Sequence, residues 1–190
     1  MRLNMDRYAA GGVLAGSIAG KRAFSDLVSR TTVPGKPEIC FLDFANVAVL
    51  TSSFLRDSII AYRNHARSAW PHLYPVAANL EPAVREELET WLMETDDIYV
   101  VCDVDKDGVS KNVAMLGVID GKQLVALRGV IDLRETDVAT LASHVGENVA
   151  PTAWNNRLGA LVAKGLIVEV TTSGRNKRYR PILEGLKYGT

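Results

Sequence analysis

Two cysteines and three histidines are all the thiols and imidazoles that the 190-residue chain offers a redox framework or a zinc site. Cys40 and Cys102 each lie inside an apolar run, as small buried residues do, which argues against a disulfide scaffold and against a zinc site. His65, His72 and His144 have no ligand spacing with one another or with the cysteines, so no metal is expected. Long apolar runs are missing too. No stretch approaches the roughly 20 uncharged residues of a membrane helix, and Met1–Ala10 carries charges where a signal peptide would be apolar, so a soluble, cytoplasmic protein is expected. No nucleophile, base and orienting group can be assembled from the chain with any specificity. It is therefore read as a non-enzyme without catalytic residues or cofactors. Internal repeats and low-complexity segments are also lacking.

Two short motifs fall short of the chemistry they resemble. Gly16-Ser17-Ile18-Ala19-Gly20-Lys21-Arg22 has three residues between its glycines where a phosphate-binding loop has four, and Arg22 replaces the hydroxyl that would hold magnesium. Asp103-Val104-Asp105-Lys106-Asp107-Gly108 begins like a calcium loop, but its twelfth position is Ala114 and not glutamate, so a solvated turn is expected.

What is present is a charge asymmetry hidden inside a net charge of zero. Residues 81–107 hold ten acids against two bases, a net of −8, whereas residues 157–190 hold seven bases against two acids, a net of +5. A locally basic C-terminal segment points to a polyanion-facing surface.

Along the chain, short apolar runs separated by Gly11, Gly12, Gly16 and Gly20 predict one or two strands with tight turns, then a helix over 21–30. Ile39–Phe44 is nearly continuous in apolar residues, the pattern of a strand covered on both faces. A helix capped by Thr51, Ser52 or Ser53 follows, with Phe54, Leu55, Ile59 and Tyr62 at helical spacing. Leu73–Leu80 and Ile98–Val104 read as strands around a helix opened by Pro82. Alternating strands and helices imply a mixed or parallel sheet with helices packed on it.

Past Gly108 the pattern changes, and a domain boundary is placed near 108–116, dividing the chain into 1–113 and 114–190. Gly121–Ile131 predicts a helix, Thr136-Asp137 caps a second, and Pro151 starts a third that Gly165 closes. Two strands, 166–170 and 177–182, flank a turn at Thr172–Asn176. In the third helix Trp154, Leu158, Leu161 and Val162 share one arc at 100° per residue and should face the core. The opposite arc carries Thr152, Asn156, Gly159, Ala160 and Ala163, flanked by Asn155, Arg157 and Lys164. Small residues allow close approach to a groove, and Asn and Arg read base edges. Arg175, Lys177, Arg178 and Arg180 on the hairpin then suit phosphates beside that groove.

The segments 136–142, 156–167 and 178–181 resemble the winged helix-turn-helix of bacterial transcriptional regulators. The element Leu158, Leu161, Gly165, Leu166, Ile167 carries the likeness most clearly. The resemblance covers roughly residues 115–183 and implies double-stranded DNA as partner, bound by the third helix and the wing. Leu42-Asp43-Phe44-Ala45-Asn46-Val47 and Leu50-Thr51-Ser52-Ser53-Phe54-Leu55 resemble the STAS-like domains, relatives of anti-sigma factor antagonists, and imply an α/β domain that senses a protein partner or mediates self-association as a homodimer. In those antagonists a serine at a helix N-terminus is phosphorylated, and Ser52 falls on that position, with Thr51 in place of their aspartate and Phe54 in place of their glycine. Ser52 is accordingly either a phosphorylation site or part of a helix cap. The alternative function is a protein-interaction switch of the anti-sigma antagonist type whose winged helix docks on protein.

Overall fold

The computed structural model describes residues 1–147, 149–171 and 177–188. In chain order the first elements are β1 (Arg2–Asn4), β2 (Val13–Leu14), α1 (Ser17–Arg30), β3 (Glu38–Asp43), β4 (Val49–Leu50), α2 (Ser52–Leu55), a π turn (Arg56–Ile60), α3 (Ala61–Ala69), β5 (Leu73–Ala78), α4 (Pro82–Glu94) and β6 (Ile98–Val104). They are followed by β7 (Ser110–Gly117), α5 (Gly121–Leu133), α6 (Val138–Val145), α7 (Pro151–Ala163), β8 (Ile167–Thr171), β9 (Lys177–Pro181) and β10 (Lys187–Tyr188). The described residues form a mixed α/β protein with a mostly parallel sheet and six helices besides a 3-10 turn at Asp6–Tyr8, since α2, the π turn and α3 run on as one rod. No described helix is long and apolar enough to cross a membrane.

Six strands lie in the order β1-β3-β5-β6-β7-β10, with every neighbouring pair parallel except β6 and β7. Both faces are covered, which is why β3, β5 and β6 read as unbroken apolar runs. Side chains alternate between two cores. Cys40, Leu42, Leu73, Ala77, Tyr99 and Val101 face the helices of the first half, while Val76, Ala78, Ile98, Val100 and Cys102 face the other way. That second core also contains Leu127, Val130, Leu141, Trp154, Leu158, Leu161, Ile167 and Tyr179, so residues from both sides of the expected boundary are buried together. The 113/114 position itself lies inside β7, which pairs with β6. Near the other end of the chain, Lys187 and Tyr188 pair with Ala114 and Met115.

The short motifs find local roles. α1 begins at Ser17, four residues before its expected start, because Gly16 takes φ +87 as its cap residue. Gly20 then sits against the helical rod, where a Cβ would lie 3.1 Å from the Phe54 carbonyl oxygen. The acidic run is the β6–β7 turn: Asp105 Oδ1 accepts from the backbone N–H of Asp107 (3.0 Å) and of Val109 (2.9 Å). Asp43, within the stretch resembling STAS-like domains, is buried and saturated. It accepts from Arg2 Nε (2.8 Å), Asn79 Nδ2 (2.7 Å) and the Ala45 N–H (3.1 Å), tying the ends of β1, β3 and β5 together. Both cysteines are buried and free, and burial pushes the Cys40 thiol up to about 11 and the Cys102 thiol up to about 12.

Helices α5 and α6 touch at Gly129. A Cβ there would lie 2.5 Å from Leu141 Cδ1 and 3.1 Å from Val145 Cγ2. Helix propensity favours Gly129→Ala by about 1 kcal/mol, but overpacking a closed contact costs about 1 to 3 kcal/mol. Because Leu141 is fully buried and has nowhere to move, the second effect prevails. Gly129→Ala is expected to lower the denaturant midpoint, and a raised midpoint would show that α5 and α6 are free to separate.

Candidate nucleic-acid interface

The C-terminal part of the chain is built on α5, α6 and α7 with the antiparallel hairpin β8–β9. Asp137 caps α6, its Oδ1 accepting the Thr140 N–H at 2.8 Å, and that bond holds its carboxyl below the usual carboxylate range. Gly146 ends α6 in the left-handed conformation (φ +74), and Pro151 opens α7. Just ahead of α6, Thr136 exchanges two backbone hydrogen bonds with Tyr179, N–H to O at 2.9 Å and O to N–H at 2.7 Å. The segment before α6 is thus tied to the hairpin by a single antiparallel bridge.

Helix α7 is oriented by its apolar arc. Trp154, Leu158 and Leu161 are fully buried, while Thr152, Asn155, Asn156, Gly159 and Ala163 are exposed. Asn155 spends one amide hydrogen on the Pro151 carbonyl (3.1 Å). Asn156 stands on the open face with Thr152 one turn before it. Arg157 departs from the expected flank position. Its side chain is only 11% exposed, lies 4.6 Å over the Trp154 ring and donates to Glu147 at 2.6 Å, because the guanidinium covers an indole that would otherwise meet solvent. Lys164 caps the C-terminal end of α7 and is half-buried, and its carbonyl accepts a bond from Arg67 of α3.

The hairpin's cations are only partly open. Lys177 pairs with Glu169 at 3.0 Å, which raises its pKa, and Arg178 pairs with Glu135 at 2.6 Å. Arg180 is exposed and borders the cleft between β9, Tyr74 and the β6–β7 turn. Arg175 and the hairpin turn lie outside the described residues. Far from this face, Ser52 is exposed as the first residue of α2. Thr51 holds the cap position, and its hydroxyl contacts Ser53 Oγ (3.3 Å) and the Gly16 N–H (3.4 Å). The structure therefore brings Thr152, Asn155 and Asn156 together on one surface and turns Arg157 inwards.

No protein-family model matches the chain, and no curated protein matches it. The geometry alone therefore supports a functional reading. Among the described residues no group of histidines, cysteines and carboxylates is arranged to hold a metal.

Proposed function

We propose that the chain is a cytoplasmic DNA-binding transcriptional regulator. In this reading residues 114–190 act as a winged helix-turn-helix, and residues 1–113 act as a STAS-like domain that senses a protein partner or mediates self-association. The observation that carries it is the rotation of α7, which buries Trp154, Leu158 and Leu161 and leaves Thr152, Asn156 and Gly159 facing outwards beside a basic hairpin. Asn156 would meet a base edge, Lys177, Arg178 and Arg180 would neutralise phosphates, and Arg157 would hold the helix in place from behind.

The pairs Lys177–Glu169 and Arg178–Glu135 favour a second reading, in which the same face docks on protein as part of an interaction switch. Magnitudes decide against giving them much weight. An exposed ion pair contributes about 0 to 1 kcal/mol, so exchanging its carboxylate for phosphate costs little. Selection of bound fragments from random DNA tests the DNA reading directly. One enriched site is expected, and Asn156→Ala should relax it at a single base position by about 1 to 3 kcal/mol. Absence of any enriched sequence would favour protein docking.

A further inference from the structure

The parallel ladder between β5 and β6 opens at its lower half, and Pro75 is the reason. The Asn79 N–H donates to the Cys102 carbonyl at 2.9 Å, and only Ala77 and Ala78 keep register partners in β6. Stepping back along the ladder two residues at a time brings position 77 to Val100 and position 75 to Ile98. A proline there has no N–H to give, so the Ile98 carbonyl is left without a strand partner. Guanidinium groups take its place: Arg63 donates to that oxygen at 3.2 Å and Arg67 at 3.4 Å.

Beside this split lies a partly enclosed cavity of about 130 Å³, bounded by α3, the lower ends of β5 and β6, and the end of α7. Its apolar wall includes Trp70, Leu73, Val100 and Val162. Among the described residues its charged lining groups are Arg67 and Lys164, with no carboxylate beside them. Arg63 and Arg67 share one acid, Asp97, which Arg63 contacts closely and Arg67 approaches only to 3.8 Å. One guanidinium charge is thus left over in a site where Arg67 is 19% exposed, and burial together with Arg63 lowers the Arg67 pKa to about 10. Tyr99 also lines the cavity. It is buried, and its hydroxyl finds no hydrogen-bond partner among the described residues.

We infer that this cavity binds a small organic carboxylate, its apolar body against Trp70 and Val162 and its anionic end on Arg67. An apolar cavity of about 150 Å³ holds benzene, so this one takes a single ring or a short branched chain with the carboxylate at the mouth. Arg67 also holds the Lys164 carbonyl, so an occupant would press directly on the end of α7. The binding inference stands whether or not α7 contacts DNA.

Calorimetry and thermal melting of the full chain with benzoate and isovalerate, and with benzamide and isovaleramide as neutral counterparts, test it. At least one of the two acids is expected to bind and to raise the melting temperature, with its amide at least tenfold weaker. Arg67→Met should lose tenfold or more in affinity. Ala163 is exposed at the cavity's edge, so Ala163→Phe should close the mouth without disturbing the core and abolish binding even if Arg67→Met fails to fold. Failure of both acids to bind at millimolar concentration would overturn the inference. So would amides that bind as well as the acids, or an Ala163→Phe protein that binds like the wild type.

Discussion

Trp154→Ala is expected to destabilise the protein by about 3 to 5 kcal/mol, because it empties a fully buried site at the centre of the second core. The loss should appear in chemical denaturation as a lower midpoint with an unchanged slope. Trp154→Phe separates packing from polarity. The indole Nε1 is buried without a partner among the described residues, and a donor left in that state costs about 1 to 3 kcal/mol. The phenylalanine variant keeps a ring beneath Arg157 and removes that donor, so it should recover most of the stability that alanine loses. A Trp154→Ala protein that remains stable but fails to bind DNA would show that α7 presents the opposite face.

Arg63→Met should be nearly as damaging, at about 3 kcal/mol. Removing one partner of a buried pair costs about 3 to 5 kcal/mol, and the low end applies because Asp97 is 24% exposed, still accepts the Ile98 N–H at 2.7 Å and keeps Arg67 at 3.8 Å. The variant also strips the Ile98 carbonyl of its 3.2 Å donor and the Tyr99 ring of the guanidinium 5.0 Å above it. Adding Asp97→Asn to Arg63→Met should cost less than the two single losses added together, since the ion pair between them can be lost only once. Strictly additive losses in unfolding free energy would mean the two side chains do not interact.

The elements legible in the sequence were those with strong local signals. Pro82 and Pro151 open helices at the expected residues, Asp137 caps α6, and the apolar runs of β3, β5 and β6 are central strands. The arc of α7 was readable because Trp154, Leu158 and Leu161 repeat at helical spacing. Contacts between distant residues left no such trace. β10 is a two-residue strand, too short for a periodic signal, and the polar first half of β7, Ser110 to Asn112, offers no apolar run to mark it as a strand. Arg157 was placed by angle alone, although a long side chain on the flank of a helix can bend over a neighbouring indole and find Glu147. The cavity at the β5–β6 split could have been suspected from Pro75 in an otherwise central strand, but locating Arg63 and Arg67 beside it required the fold.

The dependence of DNA affinity on salt tests the proposed function most directly. With three to four phosphate contacts from the hairpin, the logarithm of affinity should fall against the logarithm of salt with a slope of about −3 to −4, and Lys177→Ala should reduce that slope by about one unit while weakening all sequences equally. Absence of appreciable DNA binding at low salt, or a slope unmoved by Lys177→Ala and Arg178→Ala together, would contradict a hairpin that anchors the protein on the phosphate backbone.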